Sequence, residues 1–116
     1  MADRVLFIGW NRSIPGREQQ AMQLFQKAME YHNKLQTDGR IESFESVLLT
    51  AHGGDLNGFT MLKGDAEKLA EIRREDNFID LTFEAGYCLE GFGVIVGYVG
   101  EGLTDAFSRW SKLVGG

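Results

Sequence analysis

The chain has 116 residues, of which 43% are hydrophobic and 25% are charged, and its formal net charge is −5 at pH 7. These values predict one soluble globular domain over residues 1–116 and argue against a nucleic-acid partner, because phosphate binding requires clustered Lys and Arg. No apolar run approaches the roughly 20 residues of a membrane span, and the N-terminus lacks a signal-peptide pattern. The single cysteine, Cys88, excludes an internal disulfide and fits a reducing compartment. We therefore expect a cytoplasmic protein with no membrane partner.

Hydrophobic periodicity predicts the order strand, helix, strand, strand, helix, strand, followed by a last helix. The predicted strands are 4–11, 41–51, 58–63 and 91–99. The predicted helices are 15–37, 65–76 and 103–114. Pro15 suits the first turn of the first helix. Gly39 suits a left-handed residue that ends this helix, and Asp65 suits the N-cap of the second helix. For residues 77–90 a helical turn and an irregular edge segment both remain open.

This order predicts the α+β class, as a ferredoxin-like βαββαβ sandwich with a C-terminal helix. The first strand is apolar on both faces, which is typical of a central strand that is covered on both sides. The helices provide cover for one face of the sheet only, so the other face would expose an apolar patch and act as an interaction surface. We expect a two-fold homodimer, with Phe107 and Trp110 of the last helix covering part of that patch in the same chain or in the partner.

The chain resembles the dimeric α+β barrel superfamily over roughly residues 4–100. The likeness lies in the strand at 5–10, Pro15-Gly16-Arg17-Glu18 opening a long helix, the Gly53-Gly54 hairpin, Asp65-Ala66-Glu67 opening the second helix, and the apolar final strand. The resemblance implies that two subunits bring their sheets face to face and close a shared barrel. Members include small cofactor-independent monooxygenases of the antibiotic-biosynthesis type, haem-degrading relatives, lactone isomerases and uncharacterised stress-response proteins. The fold therefore bears on association more than on chemistry.

Four residues near the predicted strand ends are candidates for a site. His52 follows the second strand, where a neutral imidazole can act as a general base near pH 7; its alternative role is that of a polar loop residue. Trp10, Asn11 and Arg12 close the first strand, where pockets of such barrels open. An aromatic wall, an amide and a cation can together orient an oxygenated substrate. The alternative is that Trp10 packs in the core or at an interface while Arg12 is solvated.

Two other side chains lie on or near these elements, and neither indicates a metal or a cofactor. Tyr87, before the last strand, is a candidate for hydrogen bonding to a ligand. His32 lies beside the apolar stripe of the first helix and is interpreted as a satisfied, half-buried histidine. Since no Cys or carboxylate accompanies His32 and His52 at metal-ligand spacing, we expect no metal site and no cofactor.

Two hypotheses about function follow. The first is a homodimer that binds a small apolar or aromatic molecule beside the sheet, with activity as a cofactor-independent oxygenase or isomerase. In it His52 accepts a proton while Trp10, Asn11 and Arg12 hold the substrate. The second is a non-catalytic dimerisation module with a filled barrel. An internal, polar-lined cavity above roughly 300 Å³ favours the first, and a filled interior favours the second.

Overall fold

The computed structural model describes residues 2–115. Within them lie four strands: β1 (Arg4–Trp10), β2 (Ser43–Leu48), β3 (Gly58–Gly64) and β4 (Gly93–Tyr98). The same residues form four helices: α1 (Glu18–Thr37), α2 (Ala66–Arg74), α3 (Asp76–Cys88) and α4 (Glu101–Leu113). The α+β, ferredoxin-like order with a C-terminal helix is confirmed, and α3 is a further helix within it.

The strands form one antiparallel sheet in the order β2-β3-β1-β4, so β1 is central, as its apolar sequence predicts. Leu6 lies opposite Leu62 on β3 and Val96 on β4, and Ile8 lies opposite Thr60. Partners opposite each other share a face of the sheet. The register therefore brings the even-numbered residues of β1 and β3 together on one face.

Helices α1, α2 and α3 cover that face and form the core with it. Its buried members come from the two central strands, the three helices and the segment before β2: Leu6, Ile8, Leu35, Ile41, Leu62, Leu69, Ile72 and Phe78. The odd-numbered residues point to the opposite, open face. There Phe7 stacks on Phe59 with ring centroids 4.9 Å apart, yet both rings remain partly exposed, and Ile95 on β4 is 63% exposed.

The helix ends follow local signals. Gly39 has φ +75°, and the Asp65 carboxylate accepts a hydrogen bond from the backbone N–H of Lys68 at 2.9 Å, so both predictions are confirmed. Helix α1 begins at Glu18 and not at residue 15, because Gly16 adopts φ +89° and separates Pro15 from the helix.

The structure settles residues 77–90 as helix over most of their length, in α3. The break between α2 and α3 occurs at Glu75, whose backbone is extended (φ −79°, ψ 145°). The Glu75 carboxylate accepts a bidentate pair of hydrogen bonds from the Arg40 guanidinium, one of them 2.8 Å long between Oε1 and Nη1. The long-range pair thus holds the residue at which the chain changes direction.

Helix α4 leaves the sheet after Tyr98 and touches the rest of the chain near its first turn. Gly102 is buried there, and a Cβ atom on it would clash with the carbonyl oxygen of Asp3. No helix in residues 2–115 has both the length and the apolar character needed to cross a membrane.

Candidate functional site

A cavity of about 350 Å³ lies between the helix-covered face of the sheet and helices α1 and α3. This is within the range of roughly 300–1,000 Å³ that small-molecule sites occupy. Helix α1 lines it with Ala21, Met22, Leu24, Phe25, Ala28, Met29 and His32, and α3 lines it with Phe78, Leu81, Thr82 and Ala85. The sheet and its loops add Ile8, Trp10, Ser13, Leu48, Thr60, Leu89, Phe92 and Val94. None of these lining residues is an Asp, Glu, Lys or Arg.

The cavity opens to solvent between α1 and the end of β2. Three of its apolar lining residues are exposed there: Met22 at 64%, Phe25 at 36% and Leu48 at 72%. Trp10 lies behind this rim and meets Phe25 edge to face, with ring centroids 6.2 Å apart. The rim therefore presents apolar and aromatic surface to an entering molecule.

His32 is the titratable histidine on the wall of this cavity. It lies on the buried side of α1, seven residues after Phe25 and three after Met29, and is 5% exposed. Its ring packs beside Phe44, with centroids 5.6 Å apart. Its Nδ1 atom is buried and has no hydrogen-bond partner among the described residues. Burial lowers the pKa of His32 to about 4, because the charged imidazolium is desolvated, so the ring is neutral at pH 7.

Thr60 provides a second polar group on the wall, and its hydrogen bonds give it a defined role. The hydroxyl of Ser46 donates to the sulfur of Met29 at 3.4 Å, and it lies 2.7 Å from the hydroxyl of Thr60. Either hydroxyl can donate in this pair, and in both arrangements the oxygen of Thr60 keeps at least one lone pair free as an acceptor. The neutral imidazole carries one donor and one acceptor nitrogen, so the wall suits a ligand with a hydroxyl group, which can donate or accept.

The structure places His52 outside this cavity. Its Nε2 lies 2.8 Å from the carbonyl oxygen of Leu56, and its Nδ1 accepts a hydrogen bond from the backbone N–H of Gly54 at 3.2 Å. A carbonyl oxygen can only accept, so Nε2 carries the proton. Both ring nitrogens of this exposed residue are thereby engaged with the backbone of the loop between β2 and β3.

Asn11 and Arg12 also serve contacts between loops. The side-chain oxygen of Asn11 accepts a hydrogen bond from the amide of Asn57. Arg12 is exposed, and its Nε lies 4.0 Å from a carboxylate oxygen of Glu90. Trp10 is the member of the 10–12 cluster that lines the cavity.

Tyr87 lies on the outer side of α3 and is 53% exposed. The Arg17 guanidinium stacks over its ring at 3.8 Å and donates a hydrogen bond to its backbone carbonyl at 2.8 Å. The structure therefore does not bring Tyr87, His52 and Trp10 into one site. The expectation of a satisfied, half-buried His32 is wrong, because the ring is buried and its Nδ1 has no partner in the described residues. The signal for it in the sequence is a titratable side chain on the apolar stripe of α1.

Among residues 2–115 there is no group of three or more His, Cys, Asp or Glu side chains arranged to hold a metal ion. The chain matches no protein-family model and no curated protein sequence.

Several solved structures share the fold. A dimeric protein of unknown function with a ferredoxin-like fold, from Bacteroides fragilis, is 10% identical with a TM-score of 0.59, covering 83% of this chain and 96% of the other. The hydroxynitrile lyase of Passiflora edulis is 11% identical with a TM-score of 0.66, covering 87% and 97%. An EthD family protein of Bacillus halodurans is 13% identical with a TM-score of 0.55, covering 82% and 96%. At these identities the likeness shows the fold alone, and it confirms the ferredoxin-like fold that the sequence predicts.

Proposed function

We propose that the protein binds a small, uncharged, mainly apolar molecule in the cavity between α1, α3 and the sheet, with His32 as its polar contact. The observation that carries the proposal is that His32, a buried, neutral imidazole with an unpartnered nitrogen, is among the residues that line an uncharged, largely apolar cavity. Leaving a buried polar group without a partner costs about 1–3 kcal/mol. A ligand that hydrogen-bonds to the ring recovers part of that cost.

The volume of the cavity and its lack of charged lining residues restrict the class of ligand that it can bind. An engineered apolar cavity of about 150 Å³ holds one benzene. At about 350 Å³, this cavity has room for two or three fused rings. A charged ligand would have to leave water and would find no oppositely charged partner in the cavity, which is strongly unfavourable. A fused aromatic molecule with one hydroxyl group, which can donate to His32 or Thr60, fits these constraints.

An enzymatic activity on the bound molecule would begin with proton removal. In this proposal the neutral His32 accepts the proton of the ligand hydroxyl, and because burial disfavours an isolated imidazolium, the step depends on the attraction between the imidazolium and the oxyanion that forms beside it. Such a step can open a cofactor-independent oxygenation or an isomerisation, the activities suggested by the sequence. The hydroxynitrile lyase shows that this fold hosts an enzyme. His52 remains a rival candidate for the proton acceptor.

Binding of three naphthalene probes to the wild type tests the proposal. The three probes share one ring system: naphthalene has no polar group, 1-naphthol has a hydroxyl donor, and 1-naphthoate has a negative charge. By isothermal titration calorimetry we expect 1-naphthol to bind about fivefold more tightly than naphthalene, as one hydrogen bond of about 1 kcal/mol implies. We expect 1-naphthoate not to bind. Failure of naphthalene and 1-naphthol to bind would contradict the cavity as a site.

Two histidine variants separate the candidates for the polar contact. In His32→Leu, naphthalene should still bind while the preference for 1-naphthol disappears. In His52→Ala, both affinities should stay at the wild-type value, because this side chain bonds to its own loop. The reverse pattern would assign the contact to His52 and not to His32.

A second candidate function, a homodimeric assembly module, is favoured by a different observation. The open face of the sheet carries Phe7, Phe59, Met61 and Ile95, and Ile95 is 63% exposed. Pairing of two such faces would bury this apolar surface, and the similar Bacteroides protein is itself described as dimeric. We propose that the protein forms a homodimer through this face, whether or not the cavity binds a ligand. The two functions are compatible, because the cavity lies on the other face of the sheet.

A further inference from the structure

Helix α4 carries a continuous apolar stripe that its own chain does not cover. Leu103, Phe107, Trp110 and Val114 follow one another at spacings of four, three and four residues, which places them on one side of the helix. Their exposures are 45%, 64%, 64% and 80%. Leu113, beside the stripe, is 79% exposed. An amphipathic helix in a folded protein normally buries such a stripe against another element.

The exposure rises along α4 because the helix moves away from the sheet. Its first turn is anchored where Gly102 lies against the backbone of Asp3, whereas the large apolar side chains of its later turns are exposed. The radius of gyration reflects this shape: it is 15.7 Å, whereas a compact domain of this length has about 13 Å. The longest dimension of the chain is 52 Å and the shortest 22 Å.

We propose that α4 is an arm that packs its apolar stripe against a second copy of this chain. The inference concerns a surface separate from the cavity and does not rest on ligand binding there. Two arms related by a two-fold axis would each cover the other subunit, so that both stripes are buried by one symmetric association.

The charges of α4 favour a protein partner over a membrane surface. A helix that lies on an anionic membrane has a polar side rich in Lys and Arg. The ionisable residues of α4 are Glu101, Asp105, Arg109 and Lys112, two acidic and two basic. With no excess of positive charge, the helix has no electrostatic attraction to anionic lipid.

The open face of the same sheet makes a second copy the best-supported partner. Residues Val99 and Gly100 join α4 directly to β4, the edge strand that carries the exposed Ile95, so the stripe begins next to the open face. Large aromatic side chains bury roughly 150–250 Å² each. Phe107 and Trp110 of two arms therefore supply several hundred Å², and the two open sheet faces add to this area. A stable interface requires roughly 1,000 Å² or more, which a pair of these chains can provide from its own surfaces.

Trp110 provides a direct reporter of the arm. The chain has two tryptophans, so a Trp10→Phe variant leaves Trp110 as its single tryptophan, which can be excited selectively over the tyrosines. We would measure its emission wavelength and its quenching by acrylamide over a dilution series, with sedimentation velocity on the same samples. The expected result is a dimer in which Trp110 is blue-shifted and protected. On dissociation, Trp110 should become solvent-exposed in parallel with the appearance of monomer.

A matched pair of substitutions tests the two sides of the helix. Phe107→Ser removes an aromatic residue that is already exposed in the single chain, so the subunit should fold. We expect the dimer dissociation constant to rise by about tenfold or more, as for an interface anchor. Arg109→Ser introduces a serine on the polar side of α4 and should leave the dimer dissociation constant unchanged.

Three outcomes would overturn the proposal. The first is a monomer at every concentration, and the second is a dimer in which Trp110 stays open to acrylamide and Phe107→Ser has no effect. The second outcome would leave a dimer through the sheet faces without an arm. The third is a monomer whose Trp110 emission shifts to the blue on addition of phosphatidylcholine or phosphatidylserine vesicles, which would assign the stripe to a membrane surface.

Discussion

At the scale of single residues, His32 combines two properties that are seldom found together in a protein interior. It is 5% exposed, and its Nδ1 has no hydrogen-bond partner in the described part of the chain. Most buried polar atoms are paired, and the unpaired ones call for an explanation. A ligand in the cavity gives such an explanation, since the ring lies on its wall.

The burial of His32 also predicts how stability depends on pH. The pKa of His32 is about 4 in the folded chain and 6.5 in the unfolded chain, so between these values the unfolded state binds the extra proton. The contribution of His32 is therefore complete above pH 6.5 and is lost as the pH falls towards 4. The total loss from this group is up to about 3 kcal/mol.

Urea unfolding of the wild type and His32→Leu at pH 7 and pH 4 measures this effect. On acidification the free energy of unfolding should fall by up to about 3 kcal/mol less in His32→Leu than in the wild type. The carboxylates titrate in both proteins, so their contribution cancels in this difference. His52→Leu is the control and should behave as the wild type, since His52 is exposed. Equal falls in the wild type and in His32→Leu would show that the imidazole is not held neutral by burial.

At the scale of strands and helices, local signals were sufficient for most boundaries. Asp65 as an N-cap and Gly39 as a terminator act within a few residues of themselves, so they can be predicted from sequence. The start of α3 could not be predicted in this way. It depends on the pair formed by Glu75 and Arg40, which are 35 positions apart in the chain.

The cavity was beyond sequence prediction for the same reason. It arises where α1, α3 and the sheet fail to meet fully, which no spacing along the chain reveals. From the sequence, the polar residues that follow the first two strands, Asn11, Arg12 and His52, are candidates for the site. In the fold, Asn11 bonds to Asn57 and His52 bonds to its own loop, so these groups are engaged in holding loops together.

The pairing of β1 with β3 predicts an effect of a single glycine on the site. Gly58 lies opposite Trp10, and a Cβ atom on Gly58 would lie 2.6 Å from the indole ring. In Gly58→Ala the ring must therefore move, and such overpacking costs about 1–3 kcal/mol. Because Trp10 lines the cavity, 1-naphthol binding should weaken as well. Urea unfolding and calorimetry measure the two effects.

Gly93→Ala is the matched control for Gly58→Ala. Gly93 begins β4, its φ is not positive, and nothing lies within 4 Å of an added Cβ atom. The alanine should therefore leave stability and 1-naphthol binding near their wild-type values. If both variants gave the same small effect, the close contact between Gly58 and Trp10 would not govern the position of the indole.

At the scale of the whole molecule, the sheet separates two kinds of surface. The helix-covered face holds the cavity, while the open face and the stripe of α4 carry the apolar area proposed for association. The cavity lies between the sheet and helices α1 and α3, on the side opposite the face proposed for association. Ligand binding and dimerisation should therefore be separable by substitutions on the two faces.

Ile95→Asp and Leu48→Asp form the pair that tests this separation. Both residues are exposed, at 63% and 72%, but Ile95 lies on the open face and Leu48 on the rim of the cavity. A buried, unpaired carboxylate is strongly unfavourable, so Ile95→Asp should break the dimer. Its affinity for 1-naphthol should change by about twofold or less, as expected for a distant site.

Leu48→Asp should weaken 1-naphthol binding and keep the dimer. Light scattering and calorimetry on both variants give the answer, and loss of both properties in Ile95→Asp would mean that the cavity forms only within the dimer.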